Sequence, residues 1–324
     1  MATPLQLGSR RTRTPAVSST AAIARSCGIA ISDSDAVIQD AVNRTNAIQP
    51  RQFLPKFEEF VPHHWCNGDA MLTHVFNTFT LLVPGNEGYY IRTLKNCMPR
   101  IADSSMRQTV RQFMLQEGQH GAGHHRHWHL LEAQGYRIAG FHTRVDTLLY
   151  RVIEPLTPLK LKLSMVACVE YVNAYLGHEF LAQEILKDAE PDLRALFEWH
   201  FAEEIEHKHV VYDVLQAVAP SYALRVIGAA VVLPMFYALM TVGAVILLKQ
   251  DKLLFKRSTW SSFARHLGSG HHMLRRTCGH LLAYLRPGFH PWQTDDRALA
   301  QNVIDRYSSP GNSLLRPLEN ARAA

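Results

Sequence analysis

Glu117 and His120 stand at i and i+3 of one helical stretch, and Glu204 and His207 repeat that spacing in another. Glu170 and Glu87 each add a carboxylate near the middle of a further long helical stretch. One Glu from each of two helices plus a Glu-x-x-His pair from each of two others is the ligand set of a carboxylate-bridged dinuclear metal centre. The mixture has a chemical reason: carboxylates bridge two cations, while each imidazole caps one through a ring nitrogen. Oxygen-rich ligation suits iron or manganese, so two iron ions, or a manganese or mixed Mn/Fe pair, are the expected cofactor.

On a 100° helical step, Glu117, His120 and His124 share a face, as do His200, Glu204 and His207. His200 is therefore taken as a seventh ligand and His124 as a catalytic acid or base beside the metals. His178, about 80° from Glu170, is the second catalytic candidate, with a satisfied core histidine as the plainer alternative. Glu203 and Glu206 turn away and read as solvated or as supports of the ligands. His125, His127 and His129 spread around their helix and read as facing solvent or a partner. A single Glu-x-x-His is weak evidence, since most are local ion pairs on a solvated face. Two pairs tip the balance toward ligation, because Glu170 sits in the apolar run from Met165 to Val172 with no basic residue between Lys162 and His178. A buried carboxylate there needs a partner.

Four helices must bring these groups to one depth. Asp69 opens an apolar-periodic stretch reaching Ile101, which Pro84-Gly85 threatens to split. Asp103 caps a second helix that stops at Gly135, Thr157-Pro158 starts a third ending near Lys187, and Pro191 starts a fourth that Pro220 closes. The midpoints fall beside Glu87, Glu117, Glu170 and Glu204. Tight turns within each pair and a longer crossover from Gly135 to Thr157, with a helical piece near 146–153, give hairpin, crossover, hairpin. That is the wiring of an all-α, ferritin-like four-helix bundle, with additional helices following it.

The run Gln116-Glu117-Gly118-Gln119-His120 with His124, and the run from Trp199 to Lys208, resemble a bacterial family called predicted metal-dependent hydrolases, itself similar to ferritin-like proteins. Pro84-Gly85-Asn86-Glu87 resembles that family's Pro-x-Gly-Glu motif with Asn86 inserted. The resemblance covers roughly residues 50–250 and implies a metal-dependent enzyme. His200, Glu204 and His207 also resemble the fourth helix of dinuclear iron arylamine N-oxygenases, which implies oxygen activation with an electron donor. The expected function is oxidation or oxygenation of a small organic substrate, hydrophobic ones included, by a diiron centre. Hydrolysis by a metal-activated water is the alternative, and non-catalytic iron binding is a third reading. Phe113, Met114 and Phe197 are candidate pocket walls.

A net charge of +6 is dispersed, without zinc-finger spacing or an aromatic-basic platform, which argues against nucleic acid. Five scattered cysteines favour reduced thiols and a cytoplasmic setting. Residues 1–50 read as a disordered extension, 51–220 as the metal bundle, 221–290 as an apolar helix and a basic amphipathic helix, and 291–324 as a loosely ordered tail. Val226 to Leu248 carries no charged residue and is long enough to span a bilayer. Basic flanks at Arg225 and at Lys249, Lys252, Lys256 and Arg257 leave a bundle-packed helix, a homodimer interface and a membrane-surface attachment open beside a span.

Overall fold

The structure is a computed structural model that describes residues 48–318 apart from 56, 58, 59 and 267–271. Residues 1–47 of the expected N-terminal extension lie outside the described residues. The fold is all-α. Helix α1 (Ala70–Cys97) begins at Asp69, whose side chain accepts from Leu72 N, and runs through Pro84 without a break. Proline deprives the Thr80 carbonyl of its helical donor, and Trp128 Nε1 donates to that oxygen instead, at 2.7 Å. The anticipated split at Pro84-Gly85 therefore does not occur, and Glu87 is held within a helix.

Helix α2 (Ser104–Ala133) has Asp103 as its cap, Oδ1 accepting from Ser105 N at 2.9 Å, and Gly135 at φ +90° terminates it. The crossover is more helical than anticipated: α3 (Ala139–Asp146) passes into a π-helical segment, Thr147–Ile153. Helices α4 (Leu159–Ala182) and α5 (Pro191–His207) follow, α5 capped by Glu190, which accepts from Leu193 N at 2.9 Å. The expected fourth helix ends early. At the break, Lys208 turns its ammonium inward to Thr294 O and Asp296, and α6 (Val210–Val218) resumes beyond it. Helix α1 packs on α2, α4 on α5, α2 on α5 and α1 on α4. Short turns join α1 to α2 and α4 to α5, so each packed pair is antiparallel.

Helix α7 (Tyr222–Gln250) lies on α4 and α1. Among the described residues it is the one helix long and apolar enough to cross a membrane, and 33% of its most apolar window is buried. The anticipated basic helix is two helices, α8 (Arg257–His266) and α9 (Met273–Tyr284). The segment expected to be a loose tail instead holds α10 (Arg297–Ser308), which buries Ala300, Val303, Ile304 and Tyr307 against α5. After it, strand β2 (Leu315–Pro317) pairs antiparallel with β1 (Arg51–Phe53), so the two ends of the described chain meet. Phe113 and Phe197, read as candidate pocket walls, are wholly buried core.

Candidate metal centre

Helices α1, α2, α4 and α5 deliver Glu87, Glu117, His120, Glu170, His200, Glu204 and His207 to one interior cluster, none more than 3% exposed. Glu87, His120, His200 and Glu204 offer donor atoms within 4.8 Å of one another, and so do Glu117, His120, Glu204 and His207. Glu204 and His120 belong to both groups. The individual contacts are His200 Nε2 to Glu204 Oε1 at 3.1 Å, His120 Nδ1 to Glu87 Oε1 at 3.5 Å, and His207 Nε2 to Glu117 Oε1 at 3.3 Å. Glu170 is in neither group. Its Oε2 accepts from His207 Nδ1 at 3.1 Å, and its Oε1 has no partner.

Poorly satisfied polar atoms define the place. Both oxygens of Glu87, Glu117 and Glu204, with His120 Nδ1, His200 Nε2 and His207 Nε2, are buried without a well-formed hydrogen bond, facing chiefly one another. Leaving one such group unsatisfied costs about 1–3 kcal/mol, and more if charged. So many converging on one point is the arrangement that cations resolve. Burial, then repulsion from neighbouring carboxylates, pushes Glu87, Glu117 and Glu170 well above the usual carboxylate range. Burial acts the same way on Glu204, but His207, His200 and His120 outweigh it and hold its carboxyl below the ordinary value. Burial and neighbouring imidazoles push His120 well below its ordinary value, so its ring is neutral and able to ligate. The cluster thus fits metal ions in donor type and burial, and binding them would displace the protons that burial favours on its carboxyls.

Further residues complete the surroundings. Glu203, read as solvated or as a support of the ligands, is the support: it is fully buried and receives His120 Nε2 at 3.0 Å, while Arg51 Nη1, not anticipated, donates to it at 2.9 Å. Arg51 also holds Glu206, at 2.7 and 3.0 Å. A carboxylate on the outward nitrogen fixes a ligand histidine's tautomer and orientation. Tyr90, one turn beyond Glu87, is buried with an unpartnered hydroxyl, and burial, Glu170 and Glu204 all raise its pKa.

The two catalytic candidates part company. His124 adjoins the cluster, its Nε2 3.2 Å from His200 Nδ1 and its Nδ1 against Thr80 Oγ1. His178 stands apart: its Nδ1 faces Asp296 at 3.5 Å, and its side chain is 27% exposed. His127, read from the sequence as outward-facing, is completely buried against Trp65 and Phe197. A further donor group, His64, His74 and Asp251, differs in kind. There both imidazoles and the Tyr136 hydroxyl meet one oxygen, Asp251 Oδ2, at 2.7, 2.8 and 3.0 Å, which satisfies it as a fastener between α1 and the end of α7.

A family profile described as predicted metal-dependent hydrolase matches residues 49–295, reaching further along the chain than the bundle itself. Searches of curated proteins and of solved structures gave no match.

Proposed function

The chain belongs to the predicted metal-dependent hydrolase family, and from that premise we propose that its buried cluster holds two metal ions and cleaves a bond in a small organic molecule with water. The observation that carries this reading is the convergence of poorly satisfied donor atoms from Glu87, Glu117, His120, Glu170, His200, Glu204 and His207. Glu204, common to both donor groups, would bridge the ions. Glu87 and His200 would complete one position, Glu117 and His207 the other, and His120 lies between them. The packing of α1, α2, α4 and α5 supports a ferritin-like bundle.

Bound ions supply Lewis acidity that makes water nucleophilic at neutral pH and polarises the bond under attack. The chain's own residues provide orientation and protons. Arg51 and Glu203 hold His120 with its Nε2–H outward. His124 accepts from His200 Nδ1, the tautomer that frees His200 Nε2 toward the cluster. Tyr90 keeps its phenolic proton at neutral pH, and its buried, unpartnered hydroxyl beside Glu170 and Glu204 would serve as a hydrogen-bond donor to the reacting group.

Complete burial of a carboxylate-rich, thiolate-free ligand set favours a second reading. That donor balance suits redox-active iron, and a closed centre suits dioxygen better than water. On this reading two irons activate dioxygen to oxidise the substrate, with electrons from an external donor. The experiment loads metal-free protein with Fe2+, Mn2+ or Zn2+ under argon and supplies p-nitrophenyl acyl esters. Ester cleavage without oxygen supports hydrolysis. Oxygen uptake by the ferrous protein with no cleavage replaces it with oxidation, and many irons per chain would mean storage.

Attachment to a membrane surface through α7 and its neighbours is a companion proposal. It is supported by the limited burial of α7 and by exposed Phe255, Trp260 and Leu274. Recovery of the protein wholly in the supernatant after sedimentation with phospholipid vesicles would refute it.

A further inference from the structure

A cavity of about 400 Å³ lies between α1, α4, α5, α7, α8 and α9, within the roughly 300–1,000 Å³ of small-molecule pockets. Among the described residues its wall carries no charged side chain. The polar groups it offers are the hydroxyls of Tyr237, Thr241 and Thr277. One end is open, since Trp260, Phe263 and Leu274 line it and are 49%, 41% and 66% exposed. The other end is closed by Phe79 and Phe201, 6% and 1% exposed. Those two rings also stand against the metal cluster. The Phe79 ring stands edge-on to His200, with centroids 5.4 Å apart, and Phe201 does the same at 5.7 Å. A single layer of aromatic side chain therefore separates an apolar chamber from a ligand of the candidate centre.

We propose that this cavity is the substrate chamber and that it takes a neutral molecule with an extended apolar body. The reacting group would pass between Phe79 and Phe201 to the His200 side of the cluster. This rests on the metal-centre reading for its catalytic meaning, but not for binding. The absence of charge from the wall selects against acids and ammonium ions, because each would be desolvated without a counter-charge. Displacement of the Phe79 or Phe201 side chain would join the two spaces, and aromatic side chains at such a partition also keep bulk water from the metals.

The test uses the neutral fluorophore N-phenyl-1-naphthylamine, with decanol and decanoate as competitors. It is run on the full-length protein, metal-free and loaded with Zn2+ or Co2+. Saturable binding is expected, displaced by decanol far better than by decanoate. Ala244→Trp on α7 and Val75→Trp on α1 each fill the cavity and should weaken binding about tenfold or more, with metal content unchanged. Bound Co2+, but not Zn2+, should quench the bound probe, a readout on the wild-type chain that stands even if a variant fails to fold. Binding that both folded variants leave intact, or that bound Co2+ does not quench, would overturn the proposal. Saturable, decanol-sensitive probe binding in protein that takes up no metal would sink the metal reading and leave the chamber in place.

Discussion

At Gly177 the backbones of α4 and α5 come close together, and the Gly177→Ala variant tests whether that approach sets the metal cluster. A Cβ built there lies 2.9 Å from both the Cβ and the carbonyl oxygen of Phe201, and 3.3 Å from its Cα. Much of that contact is backbone, so a rotamer change cannot relieve it. The helices must part by roughly half an ångström to reach ordinary van der Waals distance, whereas metal–ligand distances tolerate about 0.2 Å. Glu170 lies two turns earlier on the same face of α4, and Phe201 sits between His200 and Glu204. Two energies compete. Alanine gains about 1 kcal/mol in helix propensity over glycine, and overpacking costs about 1–3 kcal/mol. The net expectation is a loss of up to about 2 kcal/mol in urea unfolding, with metal affinity falling about 10- to 100-fold, as when supports of a ligand shell are disturbed. Unfolding curves and competitive metal titration provide the assay. A variant stabilised by the full propensity gain, with unaltered metal affinity, would show that the helix spacing at Gly177 does not govern the cluster.

Other perturbations probe separate features. Asp296→Asn strands the buried Lys208 ammonium and should cost about 3–5 kcal/mol in chemical denaturation; a loss under about 1 kcal/mol would show that the pair contributes little. His127, pushed by burial to about 3, is neutral when folded and protonates below about 6.5 once unfolded. Its contribution is therefore complete above about pH 6.5 and lost at about 1.4 kcal/mol per unit as pH falls toward 3. His127→Leu should flatten that limb of the pH–stability profile, and an unchanged slope would count against it. Tyr90→Phe should lower kcat about 10²- to 10⁴-fold if the phenol donates a proton, with metal content intact; an undiminished kcat would remove it from the mechanism.

What the sequence disclosed was local. The Asp103 cap, the Gly135 stop and the Glu-x-x-His pairs were readable because each depends on neighbours within a turn or two. Arg51 was not, since its tie to Glu203 joins positions 152 apart and closes only when β1 is laid against the bundle. His127 was misread for a related reason. Face arithmetic assigns α2 one buried side, whereas Trp65, from the segment before α1, covers another. Pro84 looked like a break because its rescuer, Trp128, belongs to the next helix. The spacing of Ala300, Val303, Ile304 and Tyr307 did carry the signal for α10, but in a stretch short enough to pass for a polar tail.

Whether the interior cluster holds two ions is decided by metal analysis of the purified protein beside Glu117→Ala and Glu204→Ala. About two equivalents of iron or manganese per wild-type chain are expected, with both lost in Glu204→Ala, whose carboxylate serves both donor groups. Glu117→Ala should lose at least the ion it shares with His207. Wild-type protein without bound metal, or variants that retain the full complement, would contradict a metal centre at this place in the bundle.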